Sequence, residues 1–179
     1  MKLVMCEGPN ELAVIEILLD AGMLIFSRDD LLDLRPFHAR QIGSSGTVRA
    51  ALNLYPGPVD VLRIGDTLTD RLKIPPEYAA KVASVKKYCT KPEIEMLLIL
   101  TEGLEAEFEK VKAGKNKRSA KNFSKEHIFA GRKRYDNSTQ FYHDYFGEQP
   151  DKLVEAIRRY RQIQGAHKKD EGYLAELLK

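Results

Sequence analysis

No stretch of this 179-residue chain reaches the ~20 consecutive apolar residues that a membrane span requires. Its N-terminus, MKLVMCEGPNE, lacks the longer apolar region and small-residue cleavage site of a secretory signal. Cysteine is scarce: Cys6 and Cys89 lie in runs that read as buried strands, with no CxxC pair and no histidine at ligand spacing. That argues against a disulfide framework, a zinc site or a thiol nucleophile, and fits a reducing cytoplasm. Lys115 follows Gly114, but no Gly-x-x-x-x-Gly-Lys-Ser/Thr loop exists, so any ATP hydrolysis would come from a separate protein. His38, His127, His143 and His167 are scattered, without HExxH or close pairing. There is also no internal repeat. What is present is a globular balance of 43% apolar and 31% charged residues, in a length suited to one core. The expectation is a soluble, cytoplasmic protein with no membrane partner.

The net charge of +3 conceals an asymmetry. Residues 1–110 hold 13 Lys/Arg against 17 Asp/Glu, and residues 111–179 hold 16 against 9. An acidic part joined to a basic part points to cation binding in the first and polyanion binding in the second.

Residues 2–6 read as a strand stopped by Glu7-Gly8-Pro9, after which Leu12, Ile15, Leu18 and Leu19 recur at helical spacing. Pro9 suits the first helical position and Glu11 the positive end of the helix dipole. Ala13, Val14 and Ile17 make the helix apolar almost all round, as in a helix covering a parallel sheet. Met23 to Phe26 reads either as a short strand or, with Leu31 to Phe37, as an irregular connection. A short helix is expected from Val48 to Leu54, strands at Val59–Ile64 and Ala83–Cys89, and helices at Glu93–Leu100 and Leu104–Ala113. From Gly114 to Arg134 periodicity fades, and Asp151 opens a last amphipathic helix.

Three acidic clusters fall where strands end or helices start: Glu7 with Glu11, Asp66 with Asp70, and Glu93 with Glu95. The carboxyl ends of strands in an open α/β sheet form the ligand crevice, so these acids can converge there. Convergent carboxylates invite a hard divalent cation, Mg²⁺ or Mn²⁺, and such ions serve phosphodiester chemistry. Taken singly, each cluster is better read as first-turn acids, caps or solvated charge; the coincidence of three at such junctions, with a basic segment downstream, favours the functional reading.

The segment strand-Glu7-Gly8-Pro9-Asn10-Glu11-helix resembles the opening of Toprim domains of the overcoming-lysogenization-defect (OLD) nuclease type, where a strand ends in Glu-Gly and a second Glu follows four residues after the first. Val61-Leu62-Arg63-Ile64-Gly65-Asp66 resembles the later Toprim strand that ends in Asp-x-Asp, although Asp66 and Asp70 are here four apart. Thr90-Lys91-Pro92-Glu93-Ile94-Glu95 and its apolar continuation are similar to the Ser-x-Pro-x-x-Glu pattern of the Toprim-like RloB family, associated with restriction and phage-defence loci. The similarity runs in order over residues 1–125. It implies a compact parallel sheet flanked by helices, with residues 1–113 as a Toprim-like α/β domain and residues 114–179 as a basic, mostly helical C-terminal extension packed on or beside it. It implies a Mg²⁺-dependent nuclease acting on DNA or RNA, with Glu7, Glu11, Asp66 and Glu95 holding the metal and Asp70 assisting. Lys121 or Lys125 would steady charge on the phosphate, and a separate ATPase or restriction-system subunit is an implied partner. The alternative is a non-catalytic nucleic-acid-binding or assembly protein that retains the fold.

The basic run Lys115, Lys117, Arg118, Arg132, Lys133 and Arg134 reads either as a grip on a phosphate backbone or as a solvated loop. Phe123, Tyr135, Phe141, Tyr142 and Tyr145 are available for base stacking. Phe141, Tyr142, Tyr145 and Phe146 recur at near-helical spacing, however, and ordinary packing is the favoured reading for the aromatics.

Overall fold

The computed structural model describes residues 1–66, 70–90, 93–114, 117–163 and 170–179. Strand β1 (Lys2–Cys6) runs into helix α1 (Pro9–Asp20), with Gly8 as the extended N-cap and Pro9 in the first turn. The helix stops at Gly22, whose φ of +67° allows the chain to turn back while the Met23 amide donates to the Leu18 carbonyl. Val14, Ile15 and Leu18 are wholly buried, each contributing about 1.5–3 kcal/mol of hydrophobic stabilisation. After irregular chain come β2 (Phe37–His38), α2 (Gly46–Leu54), β3 (Val59–Gly65) and β4 (Val82–Cys89). Helices α3 (Met96–Thr101), α4 (Glu105–Ala113) and α5 (Ala120–His127) follow, then a two-stranded hairpin of β5 (Phe129–Ala130) and β6 (Lys133–Arg134). Helices α6 (Thr139–Phe146) and α7 (Pro150–Ile163) lead to β7 (Glu171–Tyr173).

The main sheet has the order β2-β1-β3-β4-β7, and every pairing in it is parallel. Because side chains alternate along a strand, the sheet has two apolar faces. Val4, Cys6, Leu62, Ile64 and Tyr88 pack under α1, α3, α6 and α7. Leu3, Met5, Val59 and Val61 pack under α2 and the Phe37–Ile42 connection. The product is an α/β fold with helices on both faces. Among the described residues no helix is long and apolar enough to cross a membrane.

The chain leaves β1 for β2 on one side and then crosses to β3 on the other. The strand order therefore reverses between β1 and β3, the point at which a crevice opens outside the carboxyl ends of an open sheet. Glu7 and Asp66 follow those two ends directly.

Several expectations are refined. Met23 to Phe26 forms no strand; Leu24 makes one isolated bridge to Leu178 within an irregular connection. The helix expected from Glu93 begins at Met96. The segment in which periodicity fades contains α5 and the hairpin. Residues after 114 supply the edge strand β7, and Phe123, Phe141, Phe146 and Leu153 join the same hydrophobic cluster as α1 and β1.

Candidate metal and phosphate site

Glu11 sits in the first turn of α1, Asp66 one residue beyond β3, and Glu95 at the N-cap of α3. All three line one cleft of about 370 Å³, together with Asn10, Glu93, Lys121 and Asn137. Segments far apart in sequence meet there because parallel strands deliver their ends to one edge of the sheet. Glu11 and Glu95 are 7% and 6% exposed.

Burial, followed by the negative charges of Asp66, Glu95 and Glu7, pushes the Glu11 carboxyl up to about 7, against the lowering effect of a backbone hydrogen bond. Burial likewise raises Glu95, in opposition to a hydrogen bond from Tyr135 and the Lys121 charge. The Tyr135 hydroxyl donates to Glu95 Oε1 at 2.9 Å. The cleft thus concentrates carboxylates whose mutual repulsion a cation would relieve.

Glu7 lies beside this group, 9% exposed, with Arg40 Nη2 3.2 Å from its Oε1. Its approach to β3 depends on Gly65: a Cβ there would fall 2.5 Å from Glu7 Oε2 and 2.6 Å from Glu7 Cβ. Asp70 is placed elsewhere. Its carboxylate accepts from Arg63 Nη2 at 3.0 Å and from Gln41 Nε2 at 2.6 Å, so it answers a buried guanidinium in place of lining the cleft. The four-residue separation from Asp66 carries it away from the cleft, and residues 67–69 between them lie outside the described set. Among the described residues no group of three His, Cys, Asp or Glu is arranged as a ready-made metal cage.

The two candidate lysines separate clearly. Lys121, in the first turn of α5, lines the cleft, and its backbone amide donates to Glu93 Oε2 at 2.8 Å. Lys125 lies one turn further along the same helix, exposed and outside the cleft wall. Asn137 and Tyr135 are site residues that sequence reasoning missed as such, and only the Asp-Asn-Ser turn preceding α6 marks their neighbourhood. With the Asn137 amide oriented to its complementary partners, its nitrogen donates to Glu95 Oε1 at 3.2 Å and its oxygen accepts from Lys121 Nζ at 3.0 Å.

The basic residues are more dispersed. Lys117 and Arg132 are exposed, and Arg118 pairs with Glu126. Lys133 meets Asp144 at 3.1 Å, and Arg134 lies over the Phe129 ring at 5.5 Å. Lys115 lies outside the described residues. Phe123, Tyr135, Phe141 and Tyr142 are buried, and Tyr145 is partly buried against the same core, so their rings pack the interior. The Cys6 thiol is buried, and that burial, with Glu11 and Glu16 nearby, raises its pKa, the reverse of what a nucleophile needs.

Compared with known proteins, the chain matches no family model, no curated protein and no solved structure.

Proposed function

We propose that this chain is a divalent-cation-dependent nuclease of Toprim-like type that hydrolyses phosphodiester bonds of DNA or RNA. One observation carries the reading: Glu11 in the first turn of α1, Asp66 just beyond β3 and Glu95 at the start of α3 share a single cleft with Lys121. The donor set fits Mg²⁺ or Mn²⁺, being all hard oxygen, and Mg²⁺ characteristically takes one or two carboxylates and completes its shell with water and substrate phosphate. A preformed three-ligand cage is therefore not required. Glu11, Asp66 and Glu95 would hold the cation directly or through its waters, with Glu7, paired with Arg40, beside them. When bound, such a cation polarises a phosphoryl oxygen and activates water. The Lys121 ammonium, in the same wall, stabilises negative charge as it develops on the phosphate. Asp70 has a structural part, since Arg63 and Gln41 engage it.

The test is cleavage of labelled single- and double-stranded DNA and RNA by purified protein with Mg²⁺ or Mn²⁺. Cleavage that EDTA abolishes is expected. A second reading, a nucleic-acid-binding or assembly protein without catalysis, is favoured by the diversion of Asp70 to Arg63. It requires salt-sensitive binding that survives EDTA and no cleavage under any cation.

A further inference from the structure

We infer that Asn137 is a positioning residue that holds the Lys121 ammonium apart from the Glu95 carboxylate, so that each stays available to ligand. The inference rests on the nuclease reading for its purpose and on geometry for its substance. A lysine beside a cluster of carboxylates tends to pair with one of them, which would neutralise a cation ligand and a phosphate-binding charge together. Here an amide stands between them, accepting from Lys121 Nζ at 3.0 Å and donating to Glu95 Oε1 at 3.2 Å. An amide suits this place because it offers an acceptor to the ammonium and donors to the carboxylate without adding charge.

The backbone supports the assignment. Asn137 has φ of +66°, a left-handed conformation that asparagine adopts more readily than most residues with a side chain. The turn is fixed on both sides. The Tyr135 amide donates to the Ile128 carbonyl at 2.9 Å, and the Ser138 amide donates to Asp136 Oδ1 at 3.0 Å. Ser138 then caps α6 by accepting from the Phe141 amide at 3.2 Å. In the same amide orientation the Asn137 nitrogen donates to the Tyr135 hydroxyl at 3.1 Å. Asn137 thus ties α5 to the N-terminus of α3. Hydrogen-bond partners of this kind hold ligating groups in orientation.

The informative variant is Asn137→Gly, which suits the left-handed backbone and removes the side chain that carries the amide. Two readouts are needed, the ¹⁵Nζ resonance of Lys121, assigned with Lys121→Arg, and Mg²⁺ affinity by calorimetry. In Asn137→Gly the Lys121 resonance shifts as the ammonium moves onto Glu95, and Mg²⁺ affinity falls roughly 10- to 100-fold. Adding Lys121→Ala to Asn137→Gly restores Mg²⁺ affinity, a rescue that a merely structural role for Asn137 does not give. An unchanged Lys121 resonance in Asn137→Gly overturns the inference, as does a loss of affinity that Lys121→Ala fails to reverse. A shifted Lys121 resonance in Asn137→Gly, with a wild-type protein that cleaves nothing, upholds the positioning and overturns the nuclease function.

Discussion

At the scale of single residues, the contrast between Asp70 and Glu11 shows why position along the chain does not decide the role of an acid. Asp70 is half exposed, yet it faces Arg63, which is 2% exposed on β3 and also donates to the Asp70 carbonyl at 2.8 Å. Partial burial works to raise the Asp70 carboxyl; the hydrogen bonds from Arg63 and Gln41, with the Arg63 charge, outweigh it and hold the pKa below the usual carboxylate range. A carboxyl whose pKa is lower in the folded state stabilises the fold above its unfolded pKa, about 3.9, and that contribution is lost as pH falls through the folded value. Asp70→Asn is therefore expected to be less stable than wild type in urea at neutral pH, with the gap closing below the folded pKa. It is also expected to keep cation-dependent cleavage, because Asp70 does not line the cleft; loss of cleavage in a folded Asp70→Asn protein would return it to the site. Glu7, Glu11, Asp66 and Glu95 were legible as candidates because each follows a strand end or opens a helix. Asn137 was not, since its part depends on a positive φ and on contact with residues far along the chain.

Among the elements, those with dense apolar pattern were legible: β1, α1, α2, β3, β4 and α7 lie within a few residues of expectation. Helix α5 was not, because Lys121, Asn122 and Lys125 dilute its pattern and only Ala120, Phe123 and Ser124 are buried. Its start is set locally by Ser119, which accepts from the Asn122 amide at 3.2 Å. Strand β7 is three residues long and owes its existence to pairing with Lys87–Cys89, which no local signal announces. Helix α6 provides the sharpest test of packing against base stacking. Phe141 is fully buried, with its ring centroid 5.1 Å from that of Tyr135. Phe141→Ala should cost about 3–5 kcal/mol and lower the melting temperature by roughly 10 °C. The same variant, still folded at low temperature, should bind oligonucleotides as wild type does. Weakened binding without a change in melting would assign the ring to nucleic acid.

For the whole molecule, a doubly covered parallel sheet brings the acidic cleft to its carboxyl edge, where α5 contributes Lys121 to the wall. If Lys117 and Arg132 contact phosphates, replacing each by Ala reduces oligonucleotide affinity and lowers the slope of log affinity against log salt by about 1. An unaltered slope would remove those side chains from the interface. In the proposed site Glu11, Asp66 and Glu95 act on one cation. Mg²⁺ and Mn²⁺ titration by calorimetry of wild type, Glu11→Gln, Asp66→Asn and Glu95→Gln, with cleavage read in the same samples and Glu77→Gln as an exposed control, tests it most directly. Each of the three substitutions is expected to weaken cation binding and cleavage together while Glu77→Gln matches wild type. Cation binding that survives all three substitutions, or a wild-type protein that binds no divalent cation, would contradict it.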